Sequence, residues 1–247
     1  MTTTTTSNPV RRFDLPRVFA VLFNPRAVFA EMTSESRATW LTPMLILSVT
    51  AILAVLTAGY LNTRAAAMGE ISLPQDWQYW TPEMQDNYMQ AQQATQGPVF
   101  MYVMPLISSL TKLWLGWFVF AGLLHLGSTL SGGRGSMLGS LNTVGWANLP
   151  YAIRDILRVA YMFLAQHSIT SPSLSGFASG PGFAFNMLAG VDIFLFWVIL
   201  LLTIGLSNTD GLTKGKSLVI VALIMLLILS IGAGVVTLAA KLSGAGL

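Results

Sequence analysis

Arg154, Asp155 and Arg158 stand inside the otherwise apolar stretch 140–166, and Asp192 stands inside another, 183–207. Ionisable groups in apolar segments of this length are rare. Where they occur they pair with one another or line a wet path. Two kinds of chemistry suit such a set. It can relay protons or pass an ion or polar solute, or it can neutralise itself and lock two helices together. Two cations near two carboxylates nearly cancel, which favours the salt-bridged helix pair over the path. At about 1.5 Å of rise per residue the depths of Asp192 and of the Arg154–Arg158 turn overlap. Asp192 is therefore expected to pair with Arg154 or Arg158. Lys112, near the middle of the apolar stretch 99–129, is a further candidate that either finds a partner or snorkels.

Other chemistry has little to stand on. There is no cysteine, so thiolate nucleophiles, disulfides and thiolate metal sites are excluded. His125 and His167 lie far apart and no carboxylate joins them at metal-ligand spacing. Glu70, Asp76, Glu83 and Asp86 lack the spacing of a calcium loop. Gly132-Gly133-Arg134-Gly135 has neither the strand before it nor the Lys-Ser/Thr after it that a phosphate-binding loop needs, and reads as a tight turn. Ser140 has no convergent base. No metal, cofactor or catalytic residue is expected, and the chain reads as a non-enzyme. A net charge of +3 gives no footprint for nucleic acid.

The elements that position these charges are membrane spans. Charged residues make up 9% of the 247 and hydrophobic ones 53%, against roughly 25% charged in a typical soluble domain. A helix needs about 20 apolar residues to cross the hydrocarbon core. Five stretches qualify: 41–61, 99–129, 140–166, 183–207 and 216–242. The third is the most polar, with Asn142, Asn148 and Pro150 besides its charges. Pro150 should kink or break it. The Lys and Arg distribution supports this span independently. With five spans and the N-terminus inside, Arg11, Arg12, Arg17, Arg26, Arg37, Arg134, Lys214 and Lys216 face the cytoplasm, and Arg64 and Lys241 the exterior.

Residues 1–12 read as a disordered, threonine-rich tail. Residues 13–39 read as short amphipathic helices, with Asp14 and Asn24-Pro25 as helix starts. Phe19, Phe23, Arg26 and Phe29 are expected at the membrane interface. The same helices can instead pack on the cytoplasmic ends of the spans. In the long external loop, Thr81-Pro82-Glu83 starts a surface helix over 82–95, with Trp77, Tyr79, Trp80 and Tyr88 at headgroup level.

Three passages carry a resemblance: VFAVLFNPRAVFAEM followed by TWLTPMLIL; LSGGRGSMLGSLNTVGWANLPYAI; and FWVILLLTIGLSNTDGLTKGKSL. Their order and content resemble the Yip family of Rab-interacting membrane proteins, in its short prokaryotic branch. The resemblance implies a five-helix bundle with a cytoplasmic N-terminus. Eukaryotic members of the family act in vesicle traffic and bind small GTPases, and they carry a longer cytoplasmic N-terminal region. Small-GTPase binding is accordingly not expected here, and the resemblance brings no catalytic residues.

These readings converge on an all-α polytopic membrane protein, a five-transmembrane-helix bundle (residues 40–247) preceded by short amphipathic interfacial helices. It is expected in the plasma membrane with its C-terminus external. Its expected partners are the lipid bilayer and other membrane proteins or a second copy. Its expected role is a membrane-organising scaffold or accessory subunit, with a small transporter or channel as the alternative.

Overall fold

The computed structural model describes residues 13–33, 37–69, 73 and 77–242. The expected disordered tail, 1–12, lies outside the described residues, as do Glu70 and Asp76. The described residues are helical, with no strand among them. In chain order they form α1 (Leu15–Phe23), α2 (Pro25–Thr33), α3 (Leu41–Ala67), α4 (Pro82–Thr95), α5 (Met104–Leu130), α6 (Met137–Ala147), α7 (Leu149–Ala165), α8 (Phe183–Leu188), α9 (Ile193–Asp210) and α10 (Lys214–Leu242).

Four helices are long and apolar enough to cross a bilayer: α3, α5 with the π-turn Val99–Val103 before it, α9 and α10. The third expected span is split at Asn148. Pro150 sits in the first turn of α7, where its missing N–H costs least, and the Asn148 carbonyl instead accepts from Tyr151 N at 2.9 Å. The split changes neighbours: α6 packs on α5 and α9, whereas α7 packs along α3. Together the two pieces run the height of the bundle. Just before α6, Arg134 N donates to Asp210 O at 3.0 Å, and just after α7, Gln166 accepts from Arg64 Nη1 at 2.6 Å. The bundle is thus built from α3, α5, α6–α7, α9 and α10, and four of these, α3, α5, α9 and α10, are long and apolar enough to cross a membrane.

The fourth segment departs from the expected single helix over 183–207. Asp192 accepts the backbone N–H of Leu195 at 2.9 Å and starts a new helix there. Before it, α8 is a separate short helix pinned to α10 by Asn186 Nδ2 donating to Thr237 Oγ1 at 3.1 Å. Gly190 lets the connection press on α10: a Cβ there would lie 2.6 Å from Leu229 Cδ2. The apolar residues Phe183–Leu188 and Ile193 onward look continuous in sequence, but a capping carboxylate divides them.

The N-terminal helices are part of the bundle. Asp14 accepts from Arg17 N at 3.2 Å and caps α1, and the Arg17 guanidinium lies 5.7 Å over the Trp146 ring of α6. α2 packs on α9, with Val28, Phe29 and Met32 buried. Phe29 is fully buried against Gly205, so it is a core residue and not the interface residue expected from sequence. Phe19 and Phe23 of α1 are 67% and 82% exposed, and Arg26 is exposed.

Asn142 has a structural duty. Its Oδ1 accepts from Thr39 N (2.8 Å) and Trp40 N (3.2 Å), and its Nδ2 donates to Arg37 O (2.9 Å). It therefore clamps, from a distant helix, the two residues that lead into α3. Around that clamp Trp40, Trp114 and Trp117 make mutual ring contacts, and Trp117 Nε1 donates to Leu141 O at 3.0 Å.

A Cβ on Gly205 would lie 2.5 Å from Thr143 Cγ2 and 3.2 Å from the Phe29 ring, at the point where α2, α6 and α9 meet. Gly205→Ala is therefore expected to destabilise by about 1–3 kcal/mol through overpacking. Gly234→Ala, in open space on α10, should be neutral or slightly stabilising. Thermal unfolding in mild detergent checks the pair, and equal midpoints would refute this account of the junction.

Candidate functional site

The charges of α7 and the start of α9 come together. Arg154 and Asp155 are neighbours on α7, and Arg158 follows one turn later. α7 packs on α9, which brings Asp192 opposite them. Asp192 Oδ2 lies 3.8 Å from Arg154 Nη1 and 3.8 Å from Arg158 Nη2. Arg154 Nε donates to Asp155 Oδ1 at 3.3 Å. Neither guanidinium is locked to Asp192 by a short bidentate pair. Ser173 fills the gap: it accepts from Arg158 Nη2 at 3.1 Å, and its hydroxyl lies 3.2 Å from Asp192 Oδ2 as donor. Ser173 has φ 58°, a left-handed conformation uncommon for a residue with a Cβ. The outer segment is thus held in a strained turn where its hydroxyl joins the network.

The network lies deep. Arg158 is eight residues before Gln166, about 12 Å down α7 from the Arg64 end of the bundle, and Arg154 is about 18 Å down. Residues 166–192 are not a loop lying on top of the helices. The chain leaves α7, folds back so that Ser173 reaches Arg158, passes a 3-10 turn at Ser173–Phe177, rises to α8 and descends again to Asp192. Leu174 N donates to Val191 O at 3.2 Å and ties the two limbs of this re-entrant segment. Irregular backbone at such depth is tolerated where protein covers it or a wet cavity adjoins it.

A cavity of about 280 Å³ adjoins it, with Arg154, Arg158 and Asp192 on its polar side and Leu157, Tyr161 and Phe194 among its apolar walls. The side chains of Arg154 and Arg158 are 23% and 29% exposed, against 13% for Asp155 and Asp192. The cations face the opening and the carboxylates stand behind them. Arg154 also lies with its Cζ 4.4 Å from the centroid of the Tyr151 ring.

Lys112 does not join this set. It is exposed on α5, with no carboxylate within 4 Å among the described residues. α5 packs on α3, α6 and α10 and does not pack along α7, so no route brings Lys112 to Asp192. Phe19, Phe23 and Arg26 lie on α1 and α2, far from the network. His125 Nδ1 is buried without a hydrogen-bond partner among the described residues.

A second buried carboxylate escaped the sequence reading. Asp210, at the last turn of α9, is 3% exposed. Ser128 Oγ donates to its Oδ2, and Thr209 Oγ1 donates to its Oδ1 at 2.8 Å. The glycine turn wraps it closely enough that a Cβ on Gly135 would fall on the carboxylate. Nothing in Asn-Thr-Asp-Gly marks this aspartate as buried, because its cover comes from residues 128–135.

Asp192→Asn keeps the cap of α9 and loses the ion pairs, since asparagine caps about as well as aspartate. Asp192→Ala loses both. Thermal unfolding should rank wild type above Asn and Asn above Ala, with a further loss of about 1 kcal/mol for the cap. An alanine variant as stable as the asparagine variant would show that the cap contributes nothing.

No curated protein and no solved structure matches the chain. A family model, described as the Yip1 domain, matches residues 19–236, from the middle of α1 to the last turns of α10. With several apolar helices of crossing length and a match over most of its length, the chain belongs to the Yip1 domain family of multi-span membrane proteins.

Proposed function

We propose that this protein is a non-enzymatic, membrane-organising scaffold or accessory subunit of a membrane complex. It sits in the plasma membrane with the Asp210 end of the bundle facing the cytoplasm. The observation that carries this reading is α1. Its inner face holds Val21 in the core, and its outer face leaves Leu15, Phe19 and Phe23 in one exposed row, with Phe13 just before it. These residues recur every four positions, so they form a continuous apolar ridge beside the bundle. A ridge of this kind beside Arg26 suits insertion at the headgroup boundary of one leaflet. A helix wedged into a single leaflet expands that leaflet and favours curvature. Lys112, exposed on the flank of α5, agrees with a neighbour in the membrane that supplies its counter-charge.

Orientation rests on Arg17, Arg26, Arg37, Arg134, Lys214 and Lys216, set against Arg64 and Lys241. The chain has no cysteine, so single cysteines can be introduced without background. A cysteine replacing Asn208 should react with a membrane-impermeant maleimide only after cells are opened. One replacing Gln96 should react in intact cells. The reverse pattern would invert the topology.

Proteoliposomes test the function itself. Wild-type protein at high protein-to-lipid ratio should yield smaller or tubular vesicles, and Phe19→Ser with Phe23→Ser should restore the protein-free size distribution. Unchanged vesicles with wild-type protein would sink the curvature role.

A second reading, a small transporter or channel, is favoured by the re-entrant segment 166–192 and the charges it meets, because broken helices at depth build transport sites in other proteins. Solute or ion flux across proteoliposomes that disappears in Asp192→Asn would support it. No flux of any ion or solute would leave the network structural.

A further inference from the structure

We propose that the cavity beside Arg154 and Arg158 is a binding site for the phosphodiester headgroup of a membrane phospholipid. Three observations converge on it. The first is the order of charge. Both guanidinium groups are more exposed than either carboxylate, so an entering group meets cations first. The N-terminus of α9, where Asp192 caps the helix, adds a further partial positive charge. The formal charges of the two arginines and two aspartates cancel, so a phosphate would be met by oriented donors and a partial positive pole rather than by a net cation.

The second observation is the surplus of donors. Arg158 donates only to Ser173 through Nη2, and its Nε and Nη1 have no acceptor among the described residues. Arg154 uses Nε on Asp155, and its Nη2 has no acceptor among the described residues. A guanidinium presents five N–H donors in a fixed fork matched to phosphate oxygens. Donors without a protein acceptor beside an opening are available to a ligand, and a phosphate would take several of them. Water fills the same role less well in an apolar-walled cavity.

The third observation selects a lipid over a free anion. Its walls include Leu157 and Tyr161, 54% and 51% exposed, on the same side of α7 as the exposed Leu164. In a membrane-embedded bundle that side meets acyl chains. The cavity is therefore an open cleft in which Arg154, Arg158 and Asp192 stand among mostly apolar walls, and at about 280 Å³ it exceeds the size of a bare phosphate. A headgroup can enter with its chains remaining against Leu157 and Tyr161. The scaffold reading rests on α1 at the other end of the bundle, so either can fail without the other.

The test uses the full-length protein in mild detergent, read by native mass spectrometry for bound lipid. Phosphatidylglycerol should add as one tightly held equivalent, and diacylglycerol, which lacks the phosphate, should not. Arg158→Gln should weaken phosphatidylglycerol retention at least tenfold. Leu157→Trp narrows the opening without touching an ion pair and should weaken it as well, which keeps the proposal testable if Arg158→Gln fails to fold. Inorganic phosphate in excess should not displace the lipid. Equal retention of diacylglycerol, displacement by inorganic phosphate, or full retention by Leu157→Trp would each overturn the proposal.

Discussion

α9 opens inside the bundle. Its 18 residues give about 27 Å of helix, close to the roughly 30 Å of a hydrocarbon core, yet its last turn lies beyond the level of the α2 contact, among the residues of the glycine turn. Its first turn is therefore exposed at depth, with backbone N–H groups that need acceptors. Asp192 supplies one. A carboxylate at that depth needs cations, and Arg154 and Arg158 meet that need because α7 packs on both α3 and α9. The split at Asn148, the packing of α7 and the descent of residues 166–192 are thus parts of one solution to one short helix.

The same helix carries the opposite problem at its other end. Asp210 lies near the C-terminal pole, where the peptide dipoles disfavour negative charge. Among the described residues no basic side chain forms an ion pair with it. Hydroxyls from Ser128 and Thr209 donate to it instead, and glycines at 133 and 135 make room for them. One end of α9 is built from ion pairs and an accessible cavity, and the other from neutral donors in a sealed turn. An entering ligand can therefore reach the Asp192 end, whereas Asp210, the more buried of the two, is shut off by its turn.

Much of this was legible beforehand. The apolar runs located α3, α5, α9 and α10, Thr81 capped α4 over the expected residues, and equal depths along two neighbouring helices brought Asp192 to the arginines. What escaped had a common cause: it depended on residues distant in sequence. The burial of Phe29 needs Gly205, and that of Asp210 needs the turn before α6. Lys112 has the depth of a network residue but lies on the wrong flank, and periodicity in one helix does not reveal its neighbours. Asp192 was different, because an aspartate before an apolar run is a helix start that hydropathy alone had overridden.

The docking of α2 on α9 has a consequence in time. Thr33 Oγ1 reaches the carbonyl of Asn208, 175 residues later, at 3.4 Å, and the N–H groups leading into α3 wait for Asn142. At a synthesis rate of about 5–20 residues per second, the first helices made go without their partners for roughly ten seconds or more. During that interval the face of α2 that α9 will cover has only α1, then α6, and the bilayer surface against which to hide its apolar residues. The α2 helix thus reaches its final place only when α9, far later in the chain, arrives to cover it.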